Sequence, residues 1–132
     1  MIGALIVSHG LLAQEMVAAA EMIVGEISHI QAVSIGWHDD VDEARKEIEK
    51  RITEVDQGDG VLILTDMFGG TPSNIAFAFH RPGKVEIVTG VNLPMIVKIA
   101  TQGEGMTLED LANSACEKGR SSITMASSFL TS

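Results

Sequence analysis

Short apolar runs alternate with amphipathic segments along the whole chain. Four runs have the length of β-strands and cover residues 4–8, 29–35, 61–65 and 85–89; the first and third are continuously apolar, which is typical of strands buried on both faces. Between and after them, apolar residues recur at helical spacing and predict helices that begin near Leu12, Val41, Pro72, Leu93 and Thr107. This alternation predicts an α/β domain with a parallel sheet and helices on both faces. The segment "ITMASSFL" at 123–130 is a candidate fifth strand.

The composition fits one soluble domain with its own core. The chain has 132 residues, 45% of them hydrophobic, so we expect a single domain over residues 1–132 that needs no disulfide or metal to fold. Cys116 is the single cysteine, which is typical of a reducing, cytoplasmic setting. No signal peptide is expected, and no apolar run approaches the roughly 20 residues that cross a bilayer. The formal net charge of −9 argues against nucleic-acid binding.

The first strand ends in a histidine, at the edge where sites lie in parallel sheets. His9 follows the run "LIVS" and precedes Gly10, which has no side chain and would let a ligand or a partner's backbone approach. A lone histidine in such a place is more often a hydrogen-bonded structural residue than a reactive group. Both interpretations stay open on this stretch alone.

The third strand ends in an acidic residue that is followed by a glycine-rich turn, "DMFGGTPSN" at 66–74. If strands 1 and 3 are neighbours, Asp66 can hold one imidazole nitrogen of His9 and leave the other free as a nucleophile. The turn exposes amides and Thr71 is a candidate cap for the next helix, so the segment predicts an anion site, with an ordinary capped turn as the alternative. The candidate anion-binding residues are Gly69, Gly70, Thr71 and Ser73.

Other residues are weaker candidates. Asn92, after the fourth strand, either lines the same crevice or begins the next helix. Met67 and Phe68 are apolar residues in the turn and are candidate contacts for a protein partner. In "WHDD" at 37–40, Asp39 and Asp40 are better explained as helix caps than as metal ligands, and we expect no metal or organic cofactor. The histidines at positions 29, 38 and 80 lie at the ends of elements and are expected to be solvated.

Together, four segments resemble the mannose-family enzyme IIA domain of the bacterial phosphoenolpyruvate-dependent sugar phosphotransferase system. They are "IVSHG" at 6–10, "GVLILTDMFGGTPSNIA" at 60–76, "VTGVNLPMIVKI" at 88–99 and "EDLANSACEKGRSSI" at 109–123, so the resemblance extends over almost the whole chain. It implies a flavodoxin-like fold with four parallel strands in the order 2-1-3-4. It also implies, for some members, a homodimer that exchanges a C-terminal fifth strand.

The resemblance further implies a chemical role for each candidate. His9 would be phosphorylated on Nε2, Asp66 would orient the imidazole through Nδ1, and the segment from Gly69 to Ser73 would receive the phosphoryl oxygens. The donor would be the small carrier HPr and the acceptor an enzyme IIB protein or domain. Because 132 residues leave no room for a fused IIB domain, we expect IIB on a separate chain. Contact with a membrane would then be indirect, through the transporter complex.

Four alternative functions fit part of the sequence. A regulatory phosphoprotein would use the same His9 chemistry without a dedicated sugar transporter, and the sequence does not separate the two. A receiver domain would need clustered acidic residues and a strand-end lysine, whereas strand 1 ends in Ser8 and His9. A hydrolase using Ser8 or Ser73 would lack the usual nucleophile elbow. A flavin-binding domain would be unusually poor in aromatic residues, since the chain has no tyrosine.

Overall fold

A computed structural model describes residues 1–36 and 40–130 of the chain. Strands and helices alternate as the apolar pattern predicts, and a short 3₁₀ helix follows them. The elements are β1 (Gly3–His9), α1 (Leu12–Val24), β2 (Ile30–Ile35), α2 (Val41–Val55), β3 (Val61–Thr65), α3 (Thr71–Phe77), β4 (Val85–Thr89), α4 (Leu93–Ala100), α5 (Leu108–Ser121) and the 3₁₀ helix (Ala126–Ser128).

The four strands form one parallel sheet in the order β2-β1-β3-β4, which confirms the predicted topology. β1 therefore lies between β2 and β3, and the strand register pairs Val7 with Thr65. Because β1 and β3 run in the same direction, the residues that follow this pair, His9 and Asp66, come to the same carboxyl edge of the sheet. The candidate reactive residues of the sequence therefore lie together at this edge.

Helices cover both faces of the sheet and explain why the central strands are apolar over residues 4–7 and 61–64. Ala4 and Ile6 of β1 face a cluster built with α1, α4 and α5, whereas Leu5 and Val7 face a second cluster built with α2 and α3. Alternate side chains of a strand point to opposite faces, so a strand covered on both sides needs apolar residues throughout. The two clusters together support the sheet from both faces.

The ends of the helices follow local capping chemistry. The Asp40 side chain accepts a hydrogen bond from the Asp42 amide at the start of α2, as the sequence suggests, whereas His38 and Asp39 lie outside the described residues. α3 begins one residue earlier than predicted, because Gly70 is its N-cap and Thr71 is already helical. Thr71 therefore caps nothing, and the prediction that it would do so was wrong.

Two further expectations need correction. The segment 123–130 pairs with neither edge strand of the described sheet, β2 or β4; local hydrogen bonds such as Phe129 N–H to the Ala126 carbonyl close a 3₁₀ turn instead. His29 is only 6% exposed, with Nε2 3.4 Å from the Ile99 carbonyl, whereas His80 is exposed as predicted. In the part of the chain that the structure describes, no helix is both long and apolar enough to cross a bilayer.

Candidate functional site

His9 and Asp66 form a direct pair at the carboxyl edge of the sheet. Asp66 Oδ2 accepts two hydrogen bonds from His9, one from the backbone N–H at 2.9 Å and one from the ring at Nδ1, at 2.7 Å. Asp66 Oδ1 accepts a third bond from the Met67 amide at 2.9 Å. The carboxylate is therefore fixed by three donors, and it fixes the imidazole in turn. Half of the His9 side chain remains exposed, against 11% for Asp66.

The surroundings of Asp66 keep it ionised. Burial of this carboxyl by itself raises its pKa, but the hydrogen bonds from the His9 backbone and ring, the positive charge of that ring when it is protonated and the Met67 amide outweigh burial and lower the pKa below its ordinary value of 3.8. An ionised carboxylate can only accept hydrogen bonds, so Nδ1 of the neutral imidazole carries the proton. Nε2 therefore keeps a free lone pair, which is the form of histidine that acts as a nucleophile.

Gly70 lies directly against the reactive side of the imidazole. A Cβ atom built on Gly70 would be 2.8 Å from Cε1 of His9 and 3.3 Å from Nε2. Its backbone angles (φ −87°, ψ 168°) are open to any residue, so glycine is required here for space. The neighbouring Gly69 has a φ of +86° and open space around it, so its requirement is conformational. The turn thus places bare backbone next to Nε2.

Ser73 does not reach this surface. Its side chain is fully buried, and its hydroxyl donates to the Met67 carbonyl and pairs with Thr65 Oγ1 at 2.5 Å. The sequence placed the Ser73 hydroxyl among the groups that face a phosphoryl group, and the structure contradicts that placement. The physical reason is helical phase, because Ser73 precedes the buried Ala76 by three residues and lies on the same face of α3.

Apolar side chains dominate the exposed surface of the two segments that carry the pair. Leu11 is 64% exposed and Phe68 74% exposed. We call this set the apolar rim; its members are Leu11, Leu12, Met67, Phe68 and Phe77, the last in ring contact with Phe68. Residues 2–14 contain no charged or titratable side chain except His9, and residues 60–79 none except Asp66. Exposed apolar surface around one reactive pair is typical of a site that meets another protein.

The family model described as "PTS system fructose IIA component" (EIIA-man) matches residues 3–116. The chain belongs to this family. EIIA components are phosphotransferases, and this EIIA-man domain is therefore a phosphocarrier of the sugar phosphotransferase system. The mannose-family resemblance drawn from the sequence motifs is confirmed.

Relatives of this EIIA-man domain are named for different sugars. The "PTS system fructose-specific EIIA component" of Bacillus subtilis (strain 168) is 28% identical over 131 residues, which cover 98% of this chain and 90% of that protein. The "PTS system mannose-specific EIIAB component" of Escherichia coli (strain K12) is 32% identical over 123 residues, 88% of this chain, but the match spans only 36% of that longer protein. The mannose/sorbose-specific IIA subunit from Enterococcus faecalis has the same fold, with a TM-score of 0.86, 28% identity and coverage of 99% and 97% of the two chains.

Asn92 and Gly10 have structural roles in the EIIA-man domain. The Asn92 side chain accepts from the Met95 amide at 3.3 Å and donates to the Gly119 carbonyl at 3.0 Å, so it caps α4 and ties it to α5. Both ends of its amide are thereby occupied, which favours the helix-cap interpretation over a partner contact. Gly10 has a φ of +53° with nothing within 4 Å of a built Cβ, so it makes the turn and leaves open space beside His9.

Two parts of the site were not singled out from the sequence. Thr65 is fully buried under the turn, and a polar residue at the end of the apolar run "VLIL" was the available signal. Leu11 and Leu12 extend the apolar surface beyond Met67 and Phe68, and their position directly after His9 and Gly10 was the signal for them. Ser8 is also fully buried, and its hydroxyl accepts from the Ala13 amide at 2.7 Å, so it is inaccessible as a hydrolase nucleophile.

Proposed function

We propose that His9 accepts the phosphoryl group on Nε2 and passes it on from the same atom. The observation that carries this proposal is the 2.7 Å contact between Nδ1 and the ionised Asp66, which leaves Nε2 of the half-exposed imidazole with its lone pair. The exposed position suits a donor and an acceptor that are themselves proteins. The names of the relatives include fructose, mannose and sorbose, so they do not select one sugar for this chain.

The transfer step exchanges one N–P bond for another. The lone pair of Nε2 forms the new N–P bond while the donor's P–N bond breaks, and the electron pair of that bond stays on the donor nitrogen. Nδ1 keeps its proton, so positive charge develops on the ring, and the adjacent Asp66 carboxylate stabilises that charge. The return step to the acceptor reverses the same bonds. Catalysis is then mainly alignment and charge stabilisation, as in other phosphoryl transfers.

The phosphoryl oxygens would meet the turn from Gly69 to Thr71. Gly70 supports this placement because its backbone lies against Nε2, with room for no side chain between them. Thr71 is exposed at the start of α3, and its hydroxyl is available to the same group. In the described parts of the chain the Gly69 amide donates no hydrogen bond, so it is free for an anion. Ser73 is left out of the phosphate-binding set because its hydroxyl is already used inside the turn.

Phospho-HPr is the proposed donor and an enzyme IIB component the proposed acceptor, as the family implies. Both would dock on the apolar rim, whose exposed Met67 and Phe68 flank the Asp66 turn. Because one nitrogen serves both transfers, donor and acceptor would use the rim in succession. The proposed exchange implies a cytoplasmic location, a reducing setting that suits the free Cys116.

A homodimer is also proposed, with the 123–130 segment of each copy adding to β4 of its partner. β4 is an edge strand, and the segment carries four exposed apolar residues, Ile123, Met125, Phe129 and Leu130. Such surface is stabilised by burial between copies, and an open strand edge accepts an added strand. Sedimentation of Phe129→Asp should give a lighter species than the unsubstituted chain, while Met22→Asp, which changes an 89% exposed residue on α1, should not. Dissociation by the α1 variant instead would move the interface away from the tail.

The central test is phosphorylation by phosphoenolpyruvate, enzyme I and HPr, followed by mass-spectrometric mapping at neutral or basic pH. His9→Ala should abolish labelling. His80→Ala is the matched control, because His80 is a second exposed histidine beside a carboxylate, 3.5 Å from Glu86, and this variant should label fully. Full labelling of His9→Ala, or a label that maps to another residue, would overturn the assignment.

A further inference from the structure

Two buried hydroxyls lie beneath the turn that carries Asp66. Thr65 ends β3 and Ser73 lies in the first turn of α3, and both side chains are fully buried. Their oxygens are 2.5 Å apart, and Ser73 also donates to the Met67 carbonyl. Together these hydrogen bonds join the strand before the turn, the turn itself and the helix after it.

In this series of hydrogen bonds, the donor of each bond can be assigned from hydrogen-bonding capacity alone. A carbonyl oxygen can only accept, so the single proton of the Ser73 hydroxyl points to Met67. The Thr65–Ser73 contact must then be made by the Thr65 proton. The order runs in one direction, from the Thr65 hydroxyl to the Ser73 hydroxyl to the Met67 carbonyl. Consecutive hydrogen bonds of this kind polarise and strengthen one another.

The Met67 carbonyl, at the end of this series of hydrogen bonds, lies one peptide away from the reactive pair. The Met67 amide donates to Asp66 Oδ1, while the Met67 carbonyl, in the next peptide, is held by Ser73. Because each peptide is planar, holding that carbonyl inward fixes the plane of the Met67–Phe68 peptide. The path of the turn to Gly70, whose backbone lies against the His9 ring, depends on that plane.

We propose that Thr65 and Ser73 are positioning residues for phosphoryl transfer, acting through the Met67 carbonyl on the position of the His9 imidazole and on its hydrogen bond to Asp66. The proposal rests on His9 being the phosphorylated residue. Neither hydroxyl touches the phosphoryl group. Their task is to hold the Asp66–Gly70 turn in the one geometry that aligns Nε2.

Ser73→Ala should reduce the rate of transfer from phospho-HPr by roughly 10- to 100-fold, because a displacement near 1 Å in a transfer site has costs of that order. Thr65→Val keeps the shape of the side chain and removes only the first hydrogen bond, so its effect should be smaller, roughly 2- to 10-fold. Thr65→Ser retains the hydroxyl and should transfer at close to the unsubstituted rate. The Val and Ser variants at position 65 also carry the test if Ser73→Ala proves too unstable to assay.

The double variant gives the sharpest test of a chain acting in series. Thr65 acts through Ser73, so Thr65→Val combined with Ser73→Ala should transfer no more slowly than Ser73→Ala alone. Multiplication of the two single effects would contradict the proposed route. Ser34→Ala is the matched control, because Ser34 carries a buried hydroxyl oxygen with no partner among the described residues, and its removal should leave transfer unchanged.

The tautomer of the His9 imidazole distinguishes a positioning role of Thr65 and Ser73 from a purely structural one. Nitrogen NMR of His9 in the unphosphorylated protein, well below the unfolding temperature, reports how much of the neutral ring carries its proton on Nδ1. Ser73→Ala should lower that fraction, whereas Ser34→Ala should not. If the unsubstituted chain labels on His9 but Ser73→Ala has the same rate and the same imidazole spectrum, the positioning role is refuted. Failure of the unsubstituted chain to label would instead refute the proposed function.

Discussion

Replacing Gly70 by alanine is the simplest way to disturb the His9 ring without disturbing the fold. The added Cβ would lie 2.8 Å from Cε1 of His9 and 3.3 Å from Nε2. Non-bonded carbon atoms prefer separations of about 3.5–4 Å, so the ring must retreat by roughly 0.7 Å or more. Since its side chain is half exposed, the ring can move outward into solvent. That movement stretches or breaks the 2.7 Å bond from Nδ1 to Asp66.

The cost should therefore appear in transfer and hardly at all in stability. Alanine is allowed at the φ of −87° and ψ of 168° of Gly70, and it stabilises by restricting the unfolded chain while it weakens the N-cap of α3. These opposing effects leave the free energy of unfolding within about 1 kcal/mol of its original value. A ring displaced by this much from the line of attack should lose on the order of 100-fold in the rate of transfer.

Rapid-quench measurement of transfer from phospho-HPr, combined with urea unfolding, checks both halves of this expectation. Gly103→Ala is the control, because a Cβ there meets nothing within 4 Å and the residue has no positive φ. That variant should match the unsubstituted chain in both assays. The steric reasoning fails if Gly70→Ala transfers within two-fold of the unsubstituted rate, or if it loses several kcal/mol of stability along with its activity.

Three further predictions follow from other contacts. Because the pKa of Asp66 in the folded chain lies below its unfolded value of 3.8, the ionised carboxylate stabilises the fold fully above pH 3.8, and this stabilisation is lost as the pH falls through the lower folded value. In urea titrations, any advantage in unfolding free energy over Asp66→Asn should therefore shrink below pH 3.8 and stay level between about pH 4.5 and 5.5. Asn92→Ala should lose about 0.5–2 kcal/mol of unfolding free energy while its transfer rate stays unchanged, and a slower rate at equal stability would restore Asn92 as a partner contact. Gly3→Ala would bring a Cβ within 2.2 Å of the Val55 carbonyl oxygen, so it should lower the free energy of unfolding by about 1–3 kcal/mol, and a melting temperature equal to that of Gly103→Ala would contradict this.

The sheet and the central pair could be predicted from sequence because both depend on repeated, redundant signals. A strand covered on both faces is apolar along most of its length, and β1 and β3 show this over residues 4–7 and 61–64. Once these strands are neighbours in parallel, their ends share one edge, and His9 and Asp66 meet with little further choice. The prediction was conditional on the order 2-1-3-4, and that order is confirmed.

The errors concern side-chain direction and partners that local sequence does not contain. Ser73 looked like a phosphate ligand because it follows the glycines. It lies three residues before the buried Ala76, however, so its side chain is on the face of α3 that packs into the core. The 123–130 segment has an apolar pattern compatible with a strand, but a strand also needs a partner, and within the described chain the segment pairs with neither edge of the sheet. His29 was expected in solvent because it begins a strand, although α4 covers that end and brings the Ile99 carbonyl to it.

The composition of the site also bears on reversibility. The segments 2–14 and 60–79, which carry the pair and the apolar rim, contain neither lysine nor arginine. In the proposed mechanism these two segments meet the phosphoryl charge with backbone amides and the Thr71 hydroxyl. A fixed ammonium or guanidinium group would bind a phosphohistidine strongly and hold it, whereas neutral donors stabilise it less. A carrier has to give up at the next encounter what it took at the last one, so weak retention of the phosphoryl group is an advantage. Introducing an arginine into the exposed turn, for example Met67→Arg, should therefore slow transfer to the acceptor more than transfer from the donor.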